Sequence, residues 1–157
     1  MTDDPPTGIR IRKYVPPDWD AVCAIYDMAK PDELRGSGDL RAIRPLREDE
    51  AMQALFRDSA VLVGEVHDGV VAFAGTKGNY VSWLFVHPDF RRRGLGSLLL
   101  REAMAPLSGA VELNVAKNNQ PARALYEKAG FKLAKEFVGE WNGYECQVAR
   151  LRCEATG

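Results

Sequence analysis

Apolar and basic positions alternate over residues 9–14 (IRIRKY), which predicts a short strand halted by Pro16 and Pro17. From Asp18 the spacing becomes helical: Trp19, Val22, Cys23, Tyr26 and Ala29 share one face, and the pattern predicts a helix that ends by Pro31. Residues 31–46 hold Gly36-Ser37-Gly38 and two prolines and read as loop. Helical spacing returns over residues 48–57 through Ala51, Met52, Leu55 and Phe56. Residues 60–75 are β-rich and are broken at Asp68-Gly69, a strong hairpin signal. A second turn at Lys77-Gly78-Asn79 leads into a strand over residues 80–86, so these strands form an antiparallel meander.

The second half alternates more widely. After the turn HPDFRRRGLG, residues 97–107 have the broad apolar face of a helix, and 110–115 read as a strand. Residues 120–129 predict a helix closed by Gly130, a natural C-cap. Two strands follow, over 132–138 and 143–153, joined at Trp141-Asn142-Gly143. The order βααβββαβαββ implies an α+β fold. Its sheet is mixed and mostly antiparallel, with one strand–helix–strand crossover and helices flanking it.

Length and composition narrow the class. A chain of 157 residues with 46% hydrophobic and 27% charged positions is expected to form a single domain, over residues 9–157, after a loose tail at 1–8. The formal charge of −1 supplies no global field toward nucleic acid. Cys23, Cys146 and Cys153 form neither a CxxC pair nor a Cys/His cluster, so neither a disulfide framework nor a metal site is expected. The polar, acidic start MTDDPPTG is unlike a signal peptide, and no apolar run approaches the roughly 20 residues that span a bilayer. A cytoplasmic protein with no membrane and no nucleic-acid partner is the expectation.

One segment carries chemistry. Strand 80–86 runs through a His87-Pro88 turn into Arg91-Arg92-Arg93-Gly94-Leu95-Gly96-Ser97, which opens a helix. A helix start leaves N–H groups unpaired and carries partial positive charge, so it suits an anion. Gly94 and Gly96 let backbone approach an oxyanion closely, and three arginines add cationic forked donors. A pyrophosphate-bearing ligand follows. Neither nucleotide motif fits: no Gly-Lys-Ser or Gly-Lys-Thr occurs, and Leu99 stands where a dinucleotide fingerprint needs its third glycine. Taken alone, a solvated Arg/Gly turn accounts for the segment equally well.

A second segment, NVAKNNQPARALYEKAGF, places Asn119 as a helix N-cap, Pro121 in the first turn, and Ala122 and Tyr126 on one face. Together the two segments resemble the GCN5-related N-acetyltransferase (GNAT) family. Arg91, Gly94 and Gly96 match its R/Q-x-x-G-x-G/A motif; Asn119, Ala122, Leu125, Tyr126, Glu127, Lys128, Gly130 and Phe131 match its N-x-x-A-x-x-L-Y-E-K-x-G-F motif. The resemblance covers residues 9–152, and 60–131 are its specific part.

The resemblance implies transfer of an acetyl group from acetyl-CoA, without a metal, to a primary amine of a small molecule or peptide. The cofactor would lie where strands 80–86 and 110–115 splay apart. Backbone of Leu84, Phe85 and Val86 would pair with its pantetheine arm. The turn Arg91, Arg92, Arg93, Gly94, Leu95, Gly96 and Ser97 would hold its pyrophosphate, and Asn119 would contact the arm. Tyr126 matches the acid of the family: a phenol of pKa about 10 has a proton to give a thiolate whose own pKa is about 8.5. The position where many relatives carry a basic Glu is Asn114 here, so a carboxylate base at that point is in doubt. Glu112 lies on the same strand face as Asn114, and Tyr80 and Ser82 could begin a water chain. Trp83 and Trp141 are candidate walls of the acceptor cleft. A non-catalytic acyl-CoA-binding module, a longer acyl donor and a homodimer are all compatible with the same motifs.

Overall fold

A computed structural model describes residues 8–67 and 69–156. The chain runs β1 (Ile9–Lys13), α1 (Trp19–Leu34), α2 (Glu50–Arg57), β2 (Ala60–Val66), β3 (Gly69–Lys77), β4 (Tyr80–Val86), α3 (Leu95–Met104), β5 (Ser108–Ala116), α4 (Gln120–Lys128), β6 (Lys132–Trp141) and β7 (Tyr144–Thr156). This is the order expected from the hydrophobic pattern. The seven strands make one sheet in the order β1-β2-β3-β4-β5-β7-β6. Every neighbouring pair is antiparallel except β4 and β5, which the α3 crossover makes parallel. Residues 1–7 of the expected tail, and Asp68 of the Asp68-Gly69 turn, lie outside the described residues. On either side of that turn β2 and β3 pair from Ala60↔Thr76 to Val66↔Gly69.

Strand alternation sorts the core into two layers. Phe73, Trp83 and Phe85 face α1 and α2, where Tyr26 and Phe56 complete an aromatic cluster with ring centres 5.2–6.1 Å apart. Trp83 is only 1% exposed, so it is core rather than a wall of the acceptor cleft. The intervening Ala72 and Ala74 are small and face α3, which settles close to the sheet on Leu99 and Ala103. A third group, with Leu100, Leu113, Tyr126, Phe131 and Leu151, joins α3 and α4 to β5 and β7.

Helix α1 does not end by Pro31 but continues to Leu34. Proline lacks one N–H, and so close to the end of a helix that costs a single bond. In return Leu34 is buried to 3% exposure, and Arg35 N–H closes the last turn on the Pro31 carbonyl at 3.0 Å. Residues 31–46 are therefore part helix, part short 3-10 turn at Leu40–Ala42, rather than all loop. Helix α2 starts at Glu50, two residues later than its pattern suggests, because the Asp49 side chain caps it by accepting from Met52 N–H.

The turn after α1 is bolted to the second half of the sheet. The Ser37 hydroxyl accepts from Asn118 N–H at 2.8 Å, and the Ser37 carbonyl accepts from Gln147 N–H at 2.8 Å. Ser37 is 6% exposed, so neither bond competes freely with water.

Candidate active site

Strands β4 and β5 share one ladder position, Tyr80↔Glu112, and separate beyond it. At that closed end Glu112 N–H donates to the Asn79 carbonyl at 3.0 Å, and the Asn79 side chain donates to the Ser108 and Ala110 carbonyls at 2.7 and 3.0 Å. Toward the other end a cleft of about 550 Å³ opens, of a size for a small ligand. Its walls come from the end of β4, the start of α3, the start of α4 and the last turn of α1.

Leu84, Phe85 and Val86 line the cleft from β4, and Arg91, Arg92, Gly94, Leu95, Gly96 and Ser97 close one end of it. The turn is built for backbone exposure. Gly94 is the N-cap of α3 at φ 78, and Arg92 also has positive φ, at 64. The first bond of α3 runs from Leu98 N–H to the Gly94 carbonyl at 3.1 Å. The N–H groups of Leu95, Gly96 and Ser97 therefore have no acceptor within the helix. Gly96 serves packing as well: a Cβ there would meet Leu125 Cδ1 at 3.0 Å, so it sets how closely α3 approaches α4. Arg93 does not line the cleft; its guanidinium lies 5.0 Å from the centre of the Phe90 ring. His87 caps the preceding turn, its Nδ1 accepting from Asp89 N–H at 3.0 Å.

On the facing wall Asn119 is the N-cap of α4, accepting from Ala122 N–H at 3.3 Å. Two turns further on, Tyr126 lines the cleft at 8% exposure, its ring edge-on to Phe131 with centres 5.8 Å apart. Gly130, at φ 102, ends the helix and lets Phe131 N–H reach back to the Tyr126 carbonyl. Burial pushes the Tyr126 phenol well above the ordinary tyrosine range, with the charges of Glu33 and Tyr80 adding to it.

The base candidates fare differently. Neither Asn114 nor Glu112 is among the residues that line the cleft. The Asn114 Oδ1 accepts from Arg150 Nε at 3.0 Å, so its acceptor is engaged by a cation. Burial raises the Tyr80 phenol, while Arg150 and hydrogen bonding to Asn114 oppose that rise. Ser82 turns elsewhere: its hydroxyl meets that of Ser59 at 2.8 Å.

Residues that the sequence offers only as part of a mixed-charge stretch, with no role assigned, come from the end of α1. Asp32 and Glu33 both line the cleft. Asp32 holds Arg91 at 2.9 Å and Arg35 at 3.3 Å. Glu33 is paired with Lys30 at 2.9 Å. The Lys30 ammonium stands 4.6 Å from the centre of the Trp141 ring and 5.8 Å from those of Tyr26 and Phe85. The spacing Tyr26, Lys30, Glu33 puts all three on one helix face, a signal visible in the sequence once the helix is carried past Pro31.

The fold has counterparts in known proteins. Residues 57–133 match the model of the acetyltransferase (GNAT) domain. The N-acetyltransferase YafP of Escherichia coli is 29% identical over 139 residues, which cover 87% of this chain and 89% of that one. With other curated relatives the matched region covers between 10% and 45% of the relative. Among solved structures, a GCN5-related N-acetyltransferase from Rhodopseudomonas palustris superposes with a TM-score of 0.81 at 21% identity, covering 98% of both chains. The PaiA N-acetyltransferase from Thermoplasma acidophilum, solved in complex with coenzyme A, superposes with a TM-score of 0.75 at 19% identity over 93% of this chain and 98% of that one. The fold, the domain match and the motifs that flank the splayed strands agree: the chain belongs to the GCN5-related N-acetyltransferase family.

Proposed function

We propose that this chain transfers the acetyl group of acetyl-CoA to a primary amine of a small molecule or peptide by direct attack, with residues 9–157 acting as one catalytic unit. The observation that supports it best is the cleft walled by the end of β4, α3, α4 and α1, which ends on the open N–H groups of α3 and has Tyr126 in its wall. The pantetheine arm would run along the free edge of Leu84, Phe85 and Val86 as an added strand does. The pyrophosphate would take the N–H groups of Leu95, Gly96 and Ser97, with Arg91 and Arg92 supplying charge and Asn119 meeting the arm across the cleft. Arg93, held over Phe90, would add its charge from outside the cleft. A backbone N–H near Phe85 or Val86 would hold the thioester oxygen as negative charge develops on it.

Tyr126 is the group for the departing thiolate. Full transfer of its proton is uphill, because burial raises the phenol further above a thiol of pKa about 8.5. Its contribution is then a hydrogen bond donated to sulfur as charge accumulates, with water completing protonation. Asn114 and Glu112 sit outside the cleft and would act only through water.

The test is an acceptor screen with acetyl-CoA, following release of free thiol, over amino acids, polyamines, aminoglycosides and short peptides. Thiol release with one class identifies the acceptor. Acetyl-CoA binding by calorimetry without release for any amine would support the other reading, an acyl-CoA-binding module. The absence of a carboxylate at position 114 favours that second reading. Faster release from a longer acyl-CoA would change the donor but not the reaction.

A further inference from the structure

The acetyltransferase reading leaves the acceptor amine without a partner, and the end of α1 supplies one. Most carboxylates of α1 are already committed. Asp20 pairs with Arg47, Asp27 accepts from Leu46 N–H at 2.9 Å, and Asp32 is shared between Arg35 and Arg91. Asp49, beside the same cluster, caps α2 and accepts from Asn142 at 3.2 Å. Glu33 is paired as well, with Lys30 at 2.9 Å, but through Oε1 alone. It lines the same cleft as Leu84, Phe85 and Tyr126, and its side chain is 26% exposed.

Burial raises the Tyr126 phenol on α4, the Tyr80 phenol on β4, the Cys146 thiol on β7 and the Tyr26 phenol on α1, and the Glu33 charge adds to each rise. One carboxylate thus acts on groups of four elements. Lys30 orients that carboxylate, and Lys30 is itself steadied over the rings of Trp141, Tyr26 and Phe85.

Resting on the acetyltransferase reading, we infer that Glu33 is the catalytic residue that receives the acceptor's ammonium and takes the proton lost from nitrogen as the C–N bond forms. The ammonium docks on Glu33 and gives one proton to water. The neutral nitrogen's lone pair then forms the bond to the thioester carbon, and its surplus proton passes to a Glu33 oxygen. The C–S bond breaks with its electron pair on sulfur, and the thiolate, held by a hydrogen bond from Tyr126, takes a proton from water. Lys30 is a positioning residue that fixes the carboxylate's direction.

The experiment compares wild type and Glu33→Gln, using the alkyl amine that the acceptor screen returns and hydroxylamine, whose nitrogen is uncharged at neutral pH. Acetyl-CoA affinity by calorimetry controls for folding and is expected to be unchanged. Turnover of the alkyl amine should fall about 100-fold or more, and that of hydroxylamine less than about tenfold, since an uncharged nucleophile needs less help in losing its proton. Unchanged turnover of the alkyl amine overturns the assignment while the acetyltransferase reading stands. An equal loss with both nucleophiles overturns it too, since a merely structural residue would slow both alike. A wild-type protein inert toward every amine removes the acetyltransferase reading itself, and this inference with it.

Discussion

The guanidinium of Arg91 lies 2.9 Å from the Asp32 carboxylate, which joins the turn before α3 to the last turn of α1. Both side chains are close to half exposed, so the pair itself is worth little, about 0–1 kcal/mol. Its interest lies in competition: an anion at the start of α3 and Asp32 would call on the same cation. Asp32→Asn should therefore tighten acetyl-CoA binding by about two- to fivefold at low ionic strength. Calorimetry in low and high salt checks this, because screening should erase the difference.

Removing the Tyr126 hydroxyl isolates its part in the reaction. Tyr126→Phe keeps the ring against Phe131 and should leave acetyl-CoA affinity unchanged. Turnover should fall by about 100-fold, the low end of what a positioned proton donor supplies. Steady-state kinetics with any active acceptor decides it, and unchanged turnover would remove Tyr126 from the mechanism.

Gly94 tests the anion turn through its backbone. At φ 78 a side chain is strained, so Gly94→Val should cost about 1–2 kcal/mol of stability in urea unfolding. The same change should weaken acetyl-CoA binding more than it weakens the fold, because the displaced N–H groups are those of α3's first turn. Equal affinity for wild type and variant would argue that the turn does not hold the cofactor.

Away from the cleft, Asp18 links stability to pH. Two hydrogen bonds of 2.8 Å from Arg12, and one of 2.9 Å from Val15 N–H, hold its carboxyl below the usual carboxylate range. A depressed folded value means stability that is complete above the unfolded value of about 3.9 and lost as pH falls through the folded one. Asp18→Asn should cost about 2 kcal/mol at neutral pH. Thermal unfolding across a pH series should show the two proteins converging below that window.

Much of this architecture is legible in the sequence, and the exceptions have physical causes. Period-two and helical spacing identify every strand and helix in order, and the Gly94 and Asn119 motifs mark two parts of the cleft lining, because those features are local. Pro31 hides the last turn of α1, since the burial of Leu34 that rewards it is tertiary. Glu33 is hidden with it, in a stretch whose mixed charges look like solvated loop until folding sets it in the same cleft as Tyr126. The demotion of Trp83 from cleft wall to core is likewise invisible, because an aromatic on a central strand reads the same from either side of the sheet.

The two bonds at Ser37 bear on how the cleft can move. The sheet consists of two blocks, β1 to β4 and β5 to β7, that share one ladder position at the Asn79 end. Alone, that junction would act as a hinge, and the blocks could swing apart like covers of a book. Ser37 closes the opposite side, since the turn it occupies follows a helix packed on the first block and grips Asn118 and Gln147 of the second. With a spine at Asn79 and a clasp at Ser37, the gap has a preset width, and a ligand entering it meets a finished slot rather than one it must pry open.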